Sequence, residues 1–106
     1  MMNSIRYQVI YKNGEKTPIA IFERNPEGNF YFEYVDNSKY EFPGFDVSIK
    51  KHTSDVLWEQ IAFRVPNEIR YDHPNIPLEE LLKYTNGQLV TDHFEFQFLP
   101  AETKNQ

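Results

Sequence analysis

There is no cysteine among the 106 residues, which excludes a disulfide framework, thiolate metal sites and cysteine nucleophiles. Glycine occurs only four times, at 14, 28, 44 and 87, each beside a turn or cap signal, so no glycine-rich phosphate loop exists. Long hydrophobic runs are missing too. Nothing approaches the roughly 20 apolar residues that cross a bilayer, and no basic-then-apolar leader opens the chain. The expectation is a cytoplasmic domain without membrane contact. Positive charge is scarce: 11 basic residues stand against 16 acidic ones, a net charge of −5. Phosphate-backbone binding needs several clustered Lys or Arg. The one tight basic group, Lys50-Lys51-His52, reads as a solvated strand end, so no direct nucleic-acid contact is expected.

Aromatic side chains are abundant, with nine Phe, seven Tyr and one Trp. Rings of this size fill a small sheet-rich core, and they are also enriched at protein interfaces. At this length roughly 60–70% of the unfolded surface can be buried, which suits one domain over residues 1–100 with a frayed tail at 101–106.

The periodicity predicts the elements in turn. Residues 4–11 alternate, with Ile5, Tyr7, Val9 and Tyr11 on one side, as in a half-buried strand. Asn13-Gly14 predicts a type I′ hairpin turn. The return strand, 16–24, carries Pro18 near its start, which predicts an edge position or a bulge there. Pro26 and Gly28 mark a second turn. Residues 29–35 form a third strand with Phe30, Phe32 and Tyr34 on one face. After a loop broken by Pro43-Gly44, residues 46–50 read as a short fourth strand. Thr53 or Ser54 then N-caps a helix over 54–65, with Asp55 in its first turn and Leu57, Trp58, Ile61, Ala62 and Val65 on the inward stripe. Pro66 ends it, and 67–75 reads as irregular. Pro77 opens a second helix that buries Leu78, Leu81 and Leu82 and stops at a left-handed cap on Gly87. The last strand, 89–98, alternates Phe94, Phe96 and Phe98 with His93, Glu95 and Gln97. The order β-β-β-β-α-α-β predicts an α+β fold, one antiparallel sheet of about five strands with two helices packed on it.

No catalytic constellation assembles. His52, His73 and His93 are scattered, without an i,i+4 pair or a cysteine to complete a metal set. Tyr71-Asp72-His73 is the only polar triplet with the look of a site, and it precedes Pro74 in a loop-like stretch. Glu79 and Glu80 read as pointing largely outward on a short helix, whereas paired acid-base carboxylates need opposed positions across a cleft. The expectation is a binding module with no enzyme activity, cofactor or metal.

Laid out in order, the segments "YKNGEK", "NPEGNFYFEY", "FDVSIK", "TSDVLWEQIAFRVPN" and "PLEELLKYTNGQLV…FQFLP" resemble the N-terminal subdomain of the HipA family of toxin kinases. Order and spacing carry the resemblance, which runs over nearly the whole chain. A free-standing chain that stops at this strand is similar to the small HipS-type proteins of tripartite HipBST systems. That resemblance implies an antitoxin that docks on a HipT-like Ser/Thr kinase, with a HipB-like DNA-binding protein reached only through the complex. The other reading is a stand-alone adaptor or inhibitor of unrelated function on a similar α+β fold.

The segment 54–65 supplies the candidate partner-binding residues, Val56, Trp58, Glu59, Phe63 and Arg64. Val56, Glu59, Gln60 and Phe63 form a second column, away from the inward stripe, and an apolar ring at Phe63 has no core role there. Arg64 follows it directly. Trp58 sits at the edge of the inward stripe, either as a core residue with its indole edge exposed or as an interface anchor.

Overall fold

A computed structural model describes residues 3–89 and 92–100. It shows an α+β fold: five antiparallel strands in the order β4-β3-β2-β1-β5, with helices on one face. The strands are β1 (Ile5–Lys12), β2 (Lys16–Arg24), β3 (Phe30–Tyr34), β4 (Lys51–Ser54) and β5 (Phe94–Leu99). Because β4 and β5 lie at opposite edges, the chain between them must cross the whole sheet, roughly 19 Å at about 4.8 Å per strand spacing. It crosses over the apolar face as three short helices: α1 (Glu59–Ala62), α2 (Asn67–Asp72) and α3 (Leu78–Thr85).

The alternation in β1 is real: Ile5, Tyr7 and Val9 are buried and Arg6 is exposed. Tyr7 pairs with Phe22 and Val9 with Ala20, but Ile10 pairs with Pro18, so β2 carries one extra residue, Ile19. This bulge leaves Ile19 and Ala20 both buried, and the Ile19 carbonyl accepts from Val35 N at 2.8 Å. Of the two readings of Pro18 the bulge is the one observed, in an interior strand.

Seven rings from four strands and one loop fill the centre. Tyr7, Phe22, Phe32, Phe42, Phe45 and Phe96 are almost inaccessible, with Phe94 beside them. Phe32 and Phe45 stack with centroids 4.1 Å apart. Phe42 and Phe45 belong to the β3–β4 loop, which the Tyr34 hydroxyl pins by donating to the Phe45 carbonyl at 2.5 Å and accepting from Phe42 N at 2.9 Å.

Four expectations need correction. Residues 46–50 are a turn, because Asp46 Oδ1 accepts from Ser48 N and Oγ and Ile49 N bonds back to the Asp46 carbonyl. The fourth strand begins at Lys51 and is polar, with Phe32 facing His52 and Phe30 facing Ser54. That pairing holds Thr53 and Ser54 extended, so neither caps a helix. Ser54 Oγ instead closes a turn on Val56, and α1 starts only after Trp58, with Asp55 outside its first turn. Residues 67–72, read as irregular, are α2: Pro66 ends one helical turn and opens the next at φ −60°, ψ 152°.

α3 follows Pro77 as expected and buries Leu81 and Leu82, with Leu78 packed at the edge of the core. Its C-terminus takes two left-handed residues, Asn86 (φ 57°) and Gly87 (φ 58°). A Cβ at Gly87 would lie 2.8 Å from the Phe96 ring, so the close approach also demands glycine. The Asn86 carbonyl accepts from Phe96 N at 2.6 Å. The final strand starts at Phe94. Positions 90–91 of the predicted strand, and the predicted tail at 101–106, lie outside the described residues. Among the described residues no helix is long and apolar enough to cross a membrane.

The first hairpin also departs from the type I′ expectation. Lys12 pairs with Lys16 across a three-residue turn, and positive φ falls on Gly14 (94°) but not on Asn13. Nothing lies within 4 Å of a Cβ placed on Gly14, so Gly14→Val tests the backbone alone. It should cost about 1–2 kcal/mol, read as a melting temperature lower by roughly 5–15 °C; an unchanged melt would mean that the turn does not need a left-handed residue.

Candidate protein-docking surface

The candidate residues of 54–65 separate on folding. Val56 and Phe63 are the outward apolar members, 65% and 58% exposed, and Glu59 is exposed between them. Glu59 and Phe63 stand at i and i+4 on one side of α1, joined by the Phe63 N bond to the Glu59 carbonyl at 3.0 Å. Gln60 is half-buried, its amide 3.4 Å from the Gly44 carbonyl. Trp58 is half-buried too, edge-on to Phe45 with centroids 4.8 Å apart. Its indole therefore packs on the core and leaves one edge to solvent.

Arg64 does not belong to the surface. It is 2% exposed. The chain tightens after α1, with Arg64 N bonding to the Ile61 carbonyl, and the side chain runs inward. One guanidinium nitrogen donates to the Gly87 carbonyl at 3.0 Å, and the other reaches Asp92 Oδ2 at 2.5 Å. The plane lies over Phe42 at 4.6 Å. A planar fork can bond a carbonyl and a carboxylate at once while its face rests on a ring, which is how arginine survives burial. Asp92 also accepts from Phe94 N at 3.2 Å, so one contact joins the end of α1, the α3–β5 connection and the start of β5.

A second arginine the sequence reading passed over does the same at the other end of the helical layer. Arg24, also 2% exposed, donates to Glu79 at 2.7 Å, Glu80 at 3.0 Å and the Asn3 carbonyl at 2.6 Å. Glu79 is thus buried rather than outward, and Glu80 is half-buried. Burial pulls the Arg24 pKa down, but hydrogen bonds and charge from both carboxylates outweigh it and hold the guanidinium above its ordinary value. Alongside, the Tyr7 hydroxyl donates to the Glu79 carbonyl at 2.5 Å. A third arginine, Arg70 of α2, donates to the Val65 and Ala62 carbonyls at 3.0 and 2.6 Å and satisfies the free end of α1.

The remaining polar candidates stay apart. Tyr71 is 89% exposed, His73 stacks on Tyr84 at 5.9 Å, and among the described residues no side chain of Tyr71, Asp72 or His73 bonds another of the three. His52 lies 3.0 Å from the Asp46 carbonyl, and His93 meets the Tyr11 ring edge-on. Among the described residues no group of three or more His, Asp or Glu side chains is placed to hold a metal ion. Two of the concavities are open grooves at the end of β3, lined by Tyr34, Val35, Asp36, Ser38 and Lys50 among others. No family model, curated protein or solved structure matches the chain.

Replacing Arg64 with Ala removes the fork and leaves the Gly87 carbonyl unanswered beside a cavity. The expected cost is about 3 kcal/mol or more, with Arg64→Lys recovering only part because an ammonium cannot reproduce the fork. Chemical denaturation measures both, and a stability loss below about 1 kcal/mol for the alanine variant would contradict the burial described.

Burial, with the charges of Glu79 and Glu80 adding to it, pushes the Tyr7 phenol well above its ordinary value of 10.0, and burial raises Tyr34 as well. The unfolded chain releases these protons near pH 10 while the folded chain keeps them. Stability is therefore full below about pH 10 and falls as pH rises beyond it, by up to about 1.4 kcal/mol per pH unit per group. Denaturant titrations from pH 9 to 11.5 should show a steeper alkaline loss for the natural chain than for Tyr7→Phe; equal slopes would show that this phenol is not held neutral by the fold.

Proposed function

We propose that this chain is a non-catalytic, cytoplasmic regulatory subunit, an antitoxin that docks on a HipT-like Ser/Thr kinase and restrains it. A HipB-like DNA-binding protein would join through that complex. The observation that carries the reading is the exposed Phe63 on a helix end that two inward arginines hold in place. An aromatic ring presented to water on a backbone held in place is the kind of side chain that anchors protein interfaces, because the backbone loses little freedom on docking. Val56 extends the apolar surface and Trp58 offers an indole edge beside it. The order of elements adds support: a hairpin, an aromatic third strand, helical turns ending at Pro66, and a Pro77 helix leading to the "FQFLP" strand. This is the succession that resembles the first subdomain of HipA-type kinases.

Docking and folding contributions separate by truncation. Phe63→Ala should melt within about 1 kcal/mol of the natural chain, since the ring is mostly in water. It should weaken kinase binding by 2 kcal/mol or more, roughly thirtyfold in Kd. Trp58→Ala should show both effects, with a folding loss below the roughly 3–5 kcal/mol of a fully buried ring. Co-expression with a HipT-like Ser/Thr kinase, together with titration calorimetry, reads them out. If both variants bind and neutralise the kinase as the natural chain does, α1 is not the docking surface; if the natural chain itself neither binds nor rescues, the antitoxin reading fails.

A further inference from the structure

The charges of residues 53–82 are sorted by direction. Both arginines turn inward, Arg64 onto Gly87 and Asp92, and Arg70 onto the carbonyls that end α1. Asp55, Glu59, Glu68 and Asp72 are all exposed, and among the described residues none of them makes an ion pair within 4 Å. No lysine occurs between Lys51 and Lys83. On the strands and turns some carboxylates do meet a base: Arg6 meets Glu23, Lys12 and Lys16 meet Glu95, and Lys50 meets Asp36. The helical ledge thus presents four exposed carboxylates with no base within 4 Å among the described residues, two of them within one turn of an exposed ring.

These carboxylates flank the exposed apolar side chains. Glu59 is one turn from Phe63 on α1, and Glu68 is one turn from Tyr71 and Asp72 on α2. Arg70 clamps the two helices together, so the two sets stand on adjacent helices, which form the α1–α2 ledge. An apolar centre with a charged rim is the layout of a protein interface, and unpaired carboxylates on the rim attract cations and repel an acidic partner.

We infer that the α1–α2 ledge docks a protein surface of complementary build, an apolar socket ringed by exposed Lys and Arg. This rests on the kinase-docking reading and adds which face is used and the charge of the partner's rim. Recognition then depends on where the negative charge lies, not on the net charge of the chain.

The test compares two variants with the same change in net charge. Glu59→Gln/Glu68→Gln/Asp72→Asn neutralises the ledge, and Glu15→Gln/Glu27→Gln/Glu33→Gln neutralises exposed, unpaired carboxylates of the turns and β3. The probe is a HipT-like Ser/Thr kinase, followed by stopped-flow association at low and high salt. The ledge variant should associate at least tenfold more slowly at low salt, with a flattened salt dependence, while the control stays within about threefold of the natural chain. Equal losses in the two variants, or no loss in either, would overturn the inference while leaving kinase binding intact. A natural chain whose association rate does not vary with salt would overturn it as well, without any variant. Absence of binding by the natural chain would overturn both the inference and the reading beneath it.

Discussion

The guanidinium of Arg64 is almost inaccessible to water, and the helical layer is built around its three contacts. The chain from β4 must cross from one sheet edge to the other, and it does so in helices of four, six and eight residues. Helices that short are not stable by themselves. α1 has no side-chain cap at its start, and α2 buries no residue fully. What orders them is tertiary: Arg64 reaches forward to Gly87 and Asp92, Arg70 reaches back to α1, and Arg24 rises from the sheet to Glu79 on α3. Each arginine satisfies helix-end carbonyls or buried carboxylates that the crossing would otherwise strand.

The sheet below contributes its own constraint. Its apolar face is lined with rings, and rings leave gaps at the β4 side, where the strand is short and polar. The β3–β4 loop fills that gap by folding Phe42 and Phe45 back onto Phe32, held by the Tyr34 hydroxyl. The same plug gives Trp58 something to lean on and gives Arg64 a ring to lie across. The outer surface of α1 is thereby tied to the centre of the core through two ring contacts.

The strands with strict alternation were legible in the sequence because their period coincides with their burial. β1, β2 and β3 fall within a residue or so of their predicted limits, and the bulge is one of the two readings that Pro18 offered. β4 was misplaced since its half-buried members, His52 and Ser54 opposite Phe32 and Phe30, are polar and owe their burial to neighbours rather than hydrophobicity. The single long helix failed for a related reason: a capping pattern at Ser54 lost to backbone pairing with Phe30, a contact 24 residues away in sequence. Of the candidate site, Val56, Glu59 and Phe63 were legible as outward, and Trp58 as a residue of the boundary. Arg64 was not, although its place three residues after Ile61 lies close to the inward stripe. Charge argued for the surface, and the acceptors that overrule that argument sit more than 20 residues downstream.

The bond between Phe96 N and the Asn86 carbonyl has a consequence for what can approach the sheet. β5 is an edge strand rich in phenylalanine, the composition most prone to recruit a foreign strand. The residue that ends α3 occupies a backbone donor in the middle of that edge, so an incoming strand could pair there only by displacing the helix terminus. The opposite edge, Lys51–Ser54, is only four residues long and opens on a lysine. Backbone addition is thereby disfavoured at both edges, and copies of the chain are discouraged from joining edge to edge into fibres.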